Sequence, residues 1–372
     1  MRGEKQPISA TEEGTFAFRR RFAGKVNPEH FRTFRGLHLS SIGLGTYLGN
    51  HDAETDRLYQ EAVIRAVQLG VNVIDTAINY RCQRSERVIG GALSTLFKEG
   101  AVSREEIIVA TKGGFIPFDG SPPLNPSIWF QETYVRPGIV KPEEVVAGCH
   151  SLAPRYIQDQ LSRSLQNLGL DAIDIYYLHN PETQLGEVSR EEFHRRMRAA
   201  FEALEEAVSL GKIRMYGTAT WNGYRQDPSA QDYLSLKELW DLAKEVAGEA
   251  HHFRAVQLPY NLAMVEAFAL KNQQVNGKVL SLLEAAHHLG IYVFASASLY
   301  QGHLSQRLPP FIGEHLTGLR TDAQRAIQFV RSTPGLGTSL VGMKSPDHVE
   351  ENARVVGAPV APPEAIRSLF RR

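Results

Sequence analysis

Eight short apolar runs, separated by longer stretches with helical spacing, constrain the fold of this chain more than any other feature. Several of the runs, such as IDIYYL, are almost continuously apolar, which is typical of strands buried on both faces of a parallel sheet. A strand–helix alternation repeated eight times predicts an α/β fold, the closed (β/α)8 TIM barrel. The predicted strands span residues 41–46, 72–77, 107–111, 173–178, 213–218, 254–259, 291–296 and 338–343.

Capping residues support the helices predicted between these strands. The helix predicted over 190–210 follows Ser189 and ends before Gly211. Serine is a favoured N-cap residue, and glycine commonly follows the last turn of a helix. The other helices that we predict span residues 54–69, 154–169, 279–289 and 321–332.

Two segments stand outside the alternation. Residues 1–30 hold few apolar residues and are interpreted as an N-terminal extension to a single barrel domain over residues 31–372. A long loop after the third strand, residues 113–153, is rich in Pro, Gly and aromatic residues, and no helix is predicted in it before Pro154. Loops of this length are uncommon in compact domains and often form lids. Its aromatic residues either shape a substrate pocket or, more simply, pack the loop onto the barrel: Phe115, Phe118, Trp129, Phe130 and Tyr134.

Composition argues against several kinds of partner. The 41 Lys and Arg residues balance the 41 Asp and Glu residues, and no basic block indicates binding to nucleic acid. No apolar run approaches the roughly 18 residues of a membrane span, and the first residues lack the apolar stretch of a signal peptide. Cys82 and Cys149 are too few for a disulfide framework and match no metal motif. We therefore expect a cytoplasmic protein that acts on a small molecule.

Four polar residues mark a candidate site. Asp75, Lys112 and His179 end the second, third and fourth predicted strands, and Tyr80 follows Asp75 by five positions. Active sites of such barrels form at the carboxyl ends of the strands, so we expect the four side chains to converge. Lys112 would lower the pKa of the Tyr80 hydroxyl, and Asp75 would keep Lys112 charged. With His179 to orient a carbonyl, this set predicts general acid catalysis beside a hydride donor.

Each of these residues alone has an ordinary structural explanation, such as a turn cap or a solvated strand end. A competing motif is GLGTYLG, residues 43–49, whose glycine spacing mimics the start of a dinucleotide-binding βαβ unit. That interpretation would assign Asp75 to a ribose and leave Tyr80, Lys112 and His179 unexplained. The barrel interpretation accounts for all four and is preferred.

At these residues the chain resembles the aldo-keto reductase superfamily, from about residue 36 to residue 354. The segments GVNVIDTAINY, IIVATK and LGLDAIDIYYLHNP are similar to those that carry the family's Asp, Tyr, Lys and His, and GKIRMYGTA, VQLPYN and VGMKSPDHVEEN to its cofactor-binding stretches. The resemblance implies an NAD(P)H-dependent oxidoreductase without a metal. Tyr80 would be the proton donor, Asp75 and Lys112 its supports, and His179 the residue that orients the carbonyl.

The resemblance also implies where the cofactor binds. Gln257 would hold the nicotinamide amide, and Lys344 beside the Ser345 hydroxyl suits a 2′-phosphate, which favours NADP(H) with NAD(H) as the alternative. The implied cofactor-binding positions are Gly45, Thr46, Asp75, Ala219, Thr220, Gln257, Ser296, Leu299, Lys344, Ser345, His348, Glu351 and Asn352.

The chain departs from the family pattern around the nicotinamide. Ala219 and Thr220 stand where the family often has Ser-Asn, and Ser296 stands where many members have a stacking Tyr. The sequence therefore supports two hypotheses for the function. The first is an oxidoreductase acting on a small aldehyde, ketone or sugar, and the second is a nicotinamide-nucleotide-binding barrel that acts as a sensor or regulatory subunit with little turnover.

Overall fold

Eight parallel strands form a closed barrel in the computed structural model, which describes residues 9–370. Each strand pairs with the next along the chain, and the eighth pairs with the first, so the predicted fold is confirmed. The strands are β1 (Ile42–Gly45), β2 (Val73–Asp75), β3 (Ile108–Gly113), β4 (Ile173–His179), β5 (Ile213–Ala219), β6 (Phe253–Pro259), β7 (Tyr292–Ser296) and β8 (Thr338–Gly342).

A helix follows each strand before the next one begins, except after β3, where a long connection comes first. The predicted caps are present: the Ser189 hydroxyl accepts the Glu192 N–H, and Gly211 follows the same helix in the left-handed conformation with a φ of 70°. Within residues 9–370 no helix combines the length and apolar character that a membrane crossing requires. The helices are α1 (Ala53–Gln68), α2 (Arg84–Lys98), α3 (Pro154–Leu168), α4 (Arg190–Ser209), α5 (Leu236–Ala247), α6 (Leu282–His288), α7 (Asp322–Ser332) and α8 (Pro346–Ala353).

One helix begins later in the structure than the sequence predicts. The helix expected over residues 279–289 starts at Leu282, because the preceding residues form a hairpin of Lys271–Val275 and Lys278–Ser281. Asn276 and Gly277 form its turn with φ of 51° and 76°. Asn-Gly is the residue pair that a tight hairpin turn with two positive φ angles favours, and this signal was missed.

The amino ends of the strands are covered by residues that precede β1. A helix over Glu12–Arg21, which the sequence pattern did not predict, buries Phe18 against the barrel. Ala10 lies in the apolar cluster of the barrel interior, and its backbone N–H donates to the buried carboxylate of Asp174 at 2.7 Å. Arg104 pairs with the second oxygen of Asp174 at 2.7 Å, so the buried charge is compensated. Residues 1–8 of the interpreted extension lie outside the described residues.

The connection after β3 contains a short helix, so the prediction that it has none before Pro154 is wrong. Pro126–Phe130 is helical and continues as a π-helical turn over Gln131–Val135. Asn125 begins this helix, since its side chain accepts the Ile128 N–H at 3.0 Å. An Asn N-cap followed by Pro is a helix start signal that was present in the sequence.

His30 provides a test of how the covered end contributes to stability. Its Nε2 donates to the Gly70 carbonyl at 3.0 Å, and its Nδ1 accepts from the Ser41 hydroxyl at 3.0 Å. Burial lowers the pKa of His30 to about 3 from an ordinary value near 6.5. Because the unfolded chain binds this proton and the folded chain does not, the stabilisation is complete above pH 6.5 and is lost as the pH falls towards 3.

We expect His30 to account for about 2 kcal/mol of the fall in unfolding free energy between pH 6.5 and pH 4.5. The variant His30→Gln should be less stable at neutral pH but should lose less on acidification, as measured by urea denaturation at both pH values. The exposed His288→Gln variant is the control and should keep the wild-type pH dependence. An identical pH dependence in His30→Gln would contradict the assignment.

Candidate active site

A cleft of about 750 Å³ opens at the carboxyl ends of the strands. It is lined by the last residues of β1, β2 and β4 to β8 and by the loops that follow them. A cleft of this size suits a small molecule or a cofactor. The barrel therefore places a cavity where the four candidate residues were expected to meet.

A buried ion pair lies beneath the cleft. Lys112 Nζ donates to Asp75 Oδ1 at 2.6 Å and to the Thr76 carbonyl at 2.7 Å. The amide of Gln257 donates to the other oxygen, Asp75 Oδ2, at 2.7 Å. Burial raises the pKa of Asp75 and lowers the pKa of Lys112, and their mutual attraction opposes both shifts. Neither side chain keeps its position without the other, because removal of one partner would leave an uncompensated buried charge.

Tyr80 packs against this pair. The Lys112 ammonium lies 4.9 Å from the centre of the Tyr80 ring, which also contacts the rings of Tyr47 at 5.1 Å and His179 at 5.9 Å. Burial, and then the charge of Asp75, raise the pKa of Tyr80. The net shift is opposite to the lowering predicted from Lys112, because burial and Asp75 outweigh the attraction of the ammonium, whose charge Asp75 balances. The Tyr80 hydroxyl is therefore protonated at neutral pH.

The chain turns sharply after Tyr80. Residues 81–83 have φ angles of 49°, 55° and 68°, a left-handed conformation that costs a residue other than glycine about 1–3 kcal/mol. The guanidinium of Arg81 donates to the Asn50 carbonyl at 2.8 Å and pairs with Asp56 at 2.5 Å. These contacts hold the turn in place, so the position of Tyr80 depends on a buried arginine that is not itself one of the four candidates.

His179 is the fourth candidate and lines the cleft. Burial, and then the charge of Lys112, lower its pKa well below the ordinary value, so the ring is neutral. In the described part of the chain its Nδ1 is buried and has no hydrogen-bond partner. A buried N–H without an acceptor is rarer than a buried acceptor without a donor, which favours the tautomer with the proton on Nε2. This tautomer leaves His179 with one N–H to donate to a ligand.

The implied cofactor positions also meet at the cleft. Ser345 is the exception, because its hydroxyl instead caps α8 by accepting the His348 N–H at 3.4 Å. Among the implied cofactor positions, two buried polar atoms, Thr220 Oγ1 and Asn352 Oδ1, have no partner among the described residues. Unpaired buried polar atoms in a cleft indicate contacts for a ligand. The implied positions in the lining are Gly45, Thr46, Asp75, Ala219, Thr220, Gln257, Ser296, Leu299, Lys344, His348, Glu351 and Asn352.

The aromatic residues of the long connection divide between two roles. Phe115 lines the cleft. Trp129 contacts Phe118 at 5.3 Å and Tyr134 at 5.4 Å, and Tyr134 contacts Tyr156 of α3 at 5.6 Å. Apart from Phe115, these rings pack the connection onto the barrel.

Several residues of the cleft were missed by the sequence analysis. Tyr47 and Leu48 follow β1 and form part of its rim, with 57% and 40% of their surface exposed. Asn180 follows His179 directly and also lines the cleft. Position alone could have identified them, since residues just beyond the strands carry the sites of barrels. The glycine spacing of residues 43–49 had instead indicated the start of a dinucleotide-binding βαβ unit.

The chain is similar to known proteins in both sequence and structure. The aldo/keto reductase family matches residues 41–310. The NADH-specific methylglyoxal reductase of Escherichia coli (strain K12) is 31% identical over 208 residues, which are 55% of this chain and 54% of that protein. A putative voltage-gated potassium channel subunit beta of Schizosaccharomyces pombe is 24% identical over 350 residues, which are 90% of each chain.

Two solved structures share the fold at low identity. An aldo/keto reductase from Klebsiella pneumoniae in complex with NADP and acetate has a TM-score of 0.62 and 22% identity, covering 92% of this chain and 94% of that one. The holo form of an aldo-keto reductase from Bacillus halodurans has a TM-score of 0.62 and 21% identity, covering 91% and 95%. The family match extends over most of the barrel and includes Asp75, Tyr80, Lys112 and His179. This chain belongs to the aldo/keto reductase family.

Proposed function

We propose that this protein is an NADP(H)-dependent oxidoreductase that transfers a hydride between nicotinamide and a carbonyl or alcohol group, with Tyr80 as the general acid and base. The proposal is carried by the position of Tyr80, which lies beside the Lys112–Asp75 pair and His179 in one cleft. The nicotinamide, when bound, supplies or accepts the hydride. The side chains of the protein supply the proton and orient the carbonyl.

Tyr80 is suited to give a proton in the reducing direction. Its raised pKa keeps the hydroxyl protonated at neutral pH until a carbonyl oxygen develops negative charge. As the proton leaves, the phenolate that forms is stabilised by the Lys112 ammonium, 4.9 Å from the ring centre. The neutral His179 ring donates its Nε2–H to the same carbonyl oxygen and orients the substrate. Burial thus keeps the resting hydroxyl protonated, while the Lys112 ammonium reduces the cost of releasing the proton.

The unpaired atoms of the cleft fit a nicotinamide dinucleotide. Thr220 Oγ1, which has no partner among the described residues, and the amide of Gln257, whose nitrogen donates to Asp75, would hold the nicotinamide carboxamide. Asn352 Oδ1 would accept from the adenine amino group. Lys344 directly precedes the Ser345 cap at the N-terminus of α8, and an ammonium beside a helix N-terminus favours a phosphate. These features support NADP(H), with NAD(H) as the alternative that the name of the Escherichia coli relative supports.

The part of the cleft near Tyr80 supports an uncharged carbonyl substrate. Its lining includes Tyr47, Asn79 and Phe115, all of them uncharged side chains. The Asp75 carboxylate nearby is already paired with Lys112. A small aldehyde, ketone or sugar without a phosphate or carboxylate group fits this environment.

We also propose that the reaction takes place in the cytoplasm.

A second candidate function is a nicotinamide-nucleotide-binding barrel that acts as a sensor or regulatory subunit with little turnover. The observations that favour it are Ala219 and Ser296 at the nicotinamide end of the cleft and the similarity to a putative channel subunit. Single-turnover mixing of the NADPH-loaded protein with carbonyl compounds separates the two functions. Rapid hydride transfer would exclude this candidate.

The variant Tyr80→Phe tests the proton-transfer role. It removes the hydroxyl and retains the ring, so turnover should fall by about 10²–10⁴-fold. The dissociation constant for NADPH should remain close to that of the wild type, as measured by fluorescence titration beside steady-state assays. The matched control is Tyr177→Phe, which removes a buried hydroxyl that has no partner among the described residues. Unchanged turnover in Tyr80→Phe would refute the mechanism.

The variant Lys344→Met tests cofactor selectivity. Loss of a charge-assisted contact with the 2′-phosphate should weaken NADPH binding by about tenfold and leave NADH binding nearly unchanged. Lys278→Met, which changes an exposed lysine of the hairpin away from the cleft, controls for the loss of one positive charge. An equal loss of affinity for NADPH and NADH in Lys344→Met would show that the lysine does not contact the 2′-phosphate.

A further inference from the structure

A second buried histidine lies behind His179. His150 belongs to a short strand of the connection after β3, is fully buried and was not among the four candidates. Its Nε2 lies 2.7 Å from the His179 carbonyl oxygen, and its Nδ1 lies 2.8 Å from Gln184 Nε2. A carbonyl only accepts and an amide nitrogen only donates, so His150 donates from Nε2 and accepts at Nδ1. The two contacts fix a single tautomer.

Arg196 fixes the direction of this hydrogen-bond line. Its guanidinium donates to Gln184 Oε1 at 2.7 Å. Because a guanidinium only donates, the amide oxygen of Gln184 faces Arg196 and the amide nitrogen faces His150. The line therefore runs from Arg196 on α4, through Gln184 and His150, to the last residue of β4.

The peptide that follows His179 is held on both sides. His150 donates to its carbonyl, and the N–H of Asn180 donates to the Ala219 carbonyl at 2.6 Å. Asn180 has a φ of 45°, so the chain turns abruptly as it leaves β4. The His179 ring has no hydrogen bond of its own within the described residues, so its orientation depends on this anchored backbone and on packing.

The packing also involves His150. The ring of Phe115 lies 5.0 Å from the His150 ring at 78° and 5.1 Å from the His179 ring at 90°. Phe115 lines the cleft, so the same histidine supports both the imidazole and a wall of the substrate pocket. Gly114 fits the narrow space beside them, where a Cβ would lie 2.8 Å from His150 Nε2 and 3.0 Å from the His179 carbonyl oxygen.

We propose that His150 is a positioning residue for carbonyl reduction: its Nε2–H fixes the His179 peptide and thereby the imidazole that meets the substrate. Arg196 is the outer end of the line and acts through Gln184. The proposal rests on the function proposed for the cleft. His150 contributes by fixing the geometry of His179, because it is buried behind His179 and does not reach the reacting atoms.

The first test compares His150→Leu with His150→Gln. Leucine removes the donor, whereas the amide nitrogen of glutamine retains one at a similar reach. A shift of the His179 imidazole should lower kcat by about tenfold to a hundredfold in His150→Leu and leave the NADPH dissociation constant nearly unchanged. His150→Gln should recover most of the loss. Unfolding free energies are measured for both variants, and an unchanged kcat in folded His150→Leu would overturn the proposal.

The second test changes the outer end of the line, Arg196, whose side chain is partly exposed. Arg196→Met removes the contact with Gln184 and should lower kcat by a few-fold with little change in KM. Arg195→Met is the matched control, because Arg195 pairs with the same Glu192 carboxylate but does not contact Gln184. Equal effects of the two substitutions on kcat would overturn the proposed line.

A third measurement separates this proposal from the proposed function. Nitrogen NMR of histidine-labelled protein reads the ring tautomers without turnover. His150 should be protonated at Nε2, and the His179 signals should shift in His150→Leu but much less in His150→Gln. Absence of hydride transfer by the wild type would refute the proposed function, whereas unchanged His179 signals in His150→Leu would refute the positioning role.

Discussion

The buried ion pair between Lys112 and Asp75 is the interaction on which the rest of the site depends. Charges taken out of water need a full set of partners, and here these come from the Thr76 carbonyl and the Gln257 amide. The pair therefore ties the carboxyl ends of β2, β3 and β6 to one another. Tyr80 packs against the result, so the barrel and the ion pair together determine where its hydroxyl lies.

This arrangement separates two properties that a catalytic tyrosine needs. Burial keeps the Tyr80 hydroxyl protonated in the resting protein and outweighs the attraction of Lys112, whose charge is balanced by Asp75. The same ammonium reduces the cost of releasing the proton, since a phenolate beside it is stabilised. A neutral His179, supported from behind by His150, completes a site in which each group remains in one protonation state until the substrate arrives.

Sequence patterns predicted the barrel because strands buried on both faces are continuously apolar, and they predicted most of the cleft because its residues follow strand ends. They failed where the result depends on three-dimensional surroundings. The direction of the Tyr80 pKa shift required knowing that Tyr80 is buried and that Asp75 balances the Lys112 ammonium. The helix over Glu12–Arg21 was missed because it buries little besides Phe18, and the hairpin turn at Asn276 was missed although its signal was local.

The left-handed turn over residues 81–83 has a consequence for how this chain varies. Glycine would adopt such a turn without strain but would leave it free to move, whereas the residues present are held in one shape by side-chain contacts, among them those of Arg81 with Asp56 and Asn50. The turn is locally frustrated, and α1 and the loop before it help to impose its conformation. Asp56 and Arg81 are thus energetically coupled: loss of either one would favour glycine in the turn, at the expense of a rigid Tyr80.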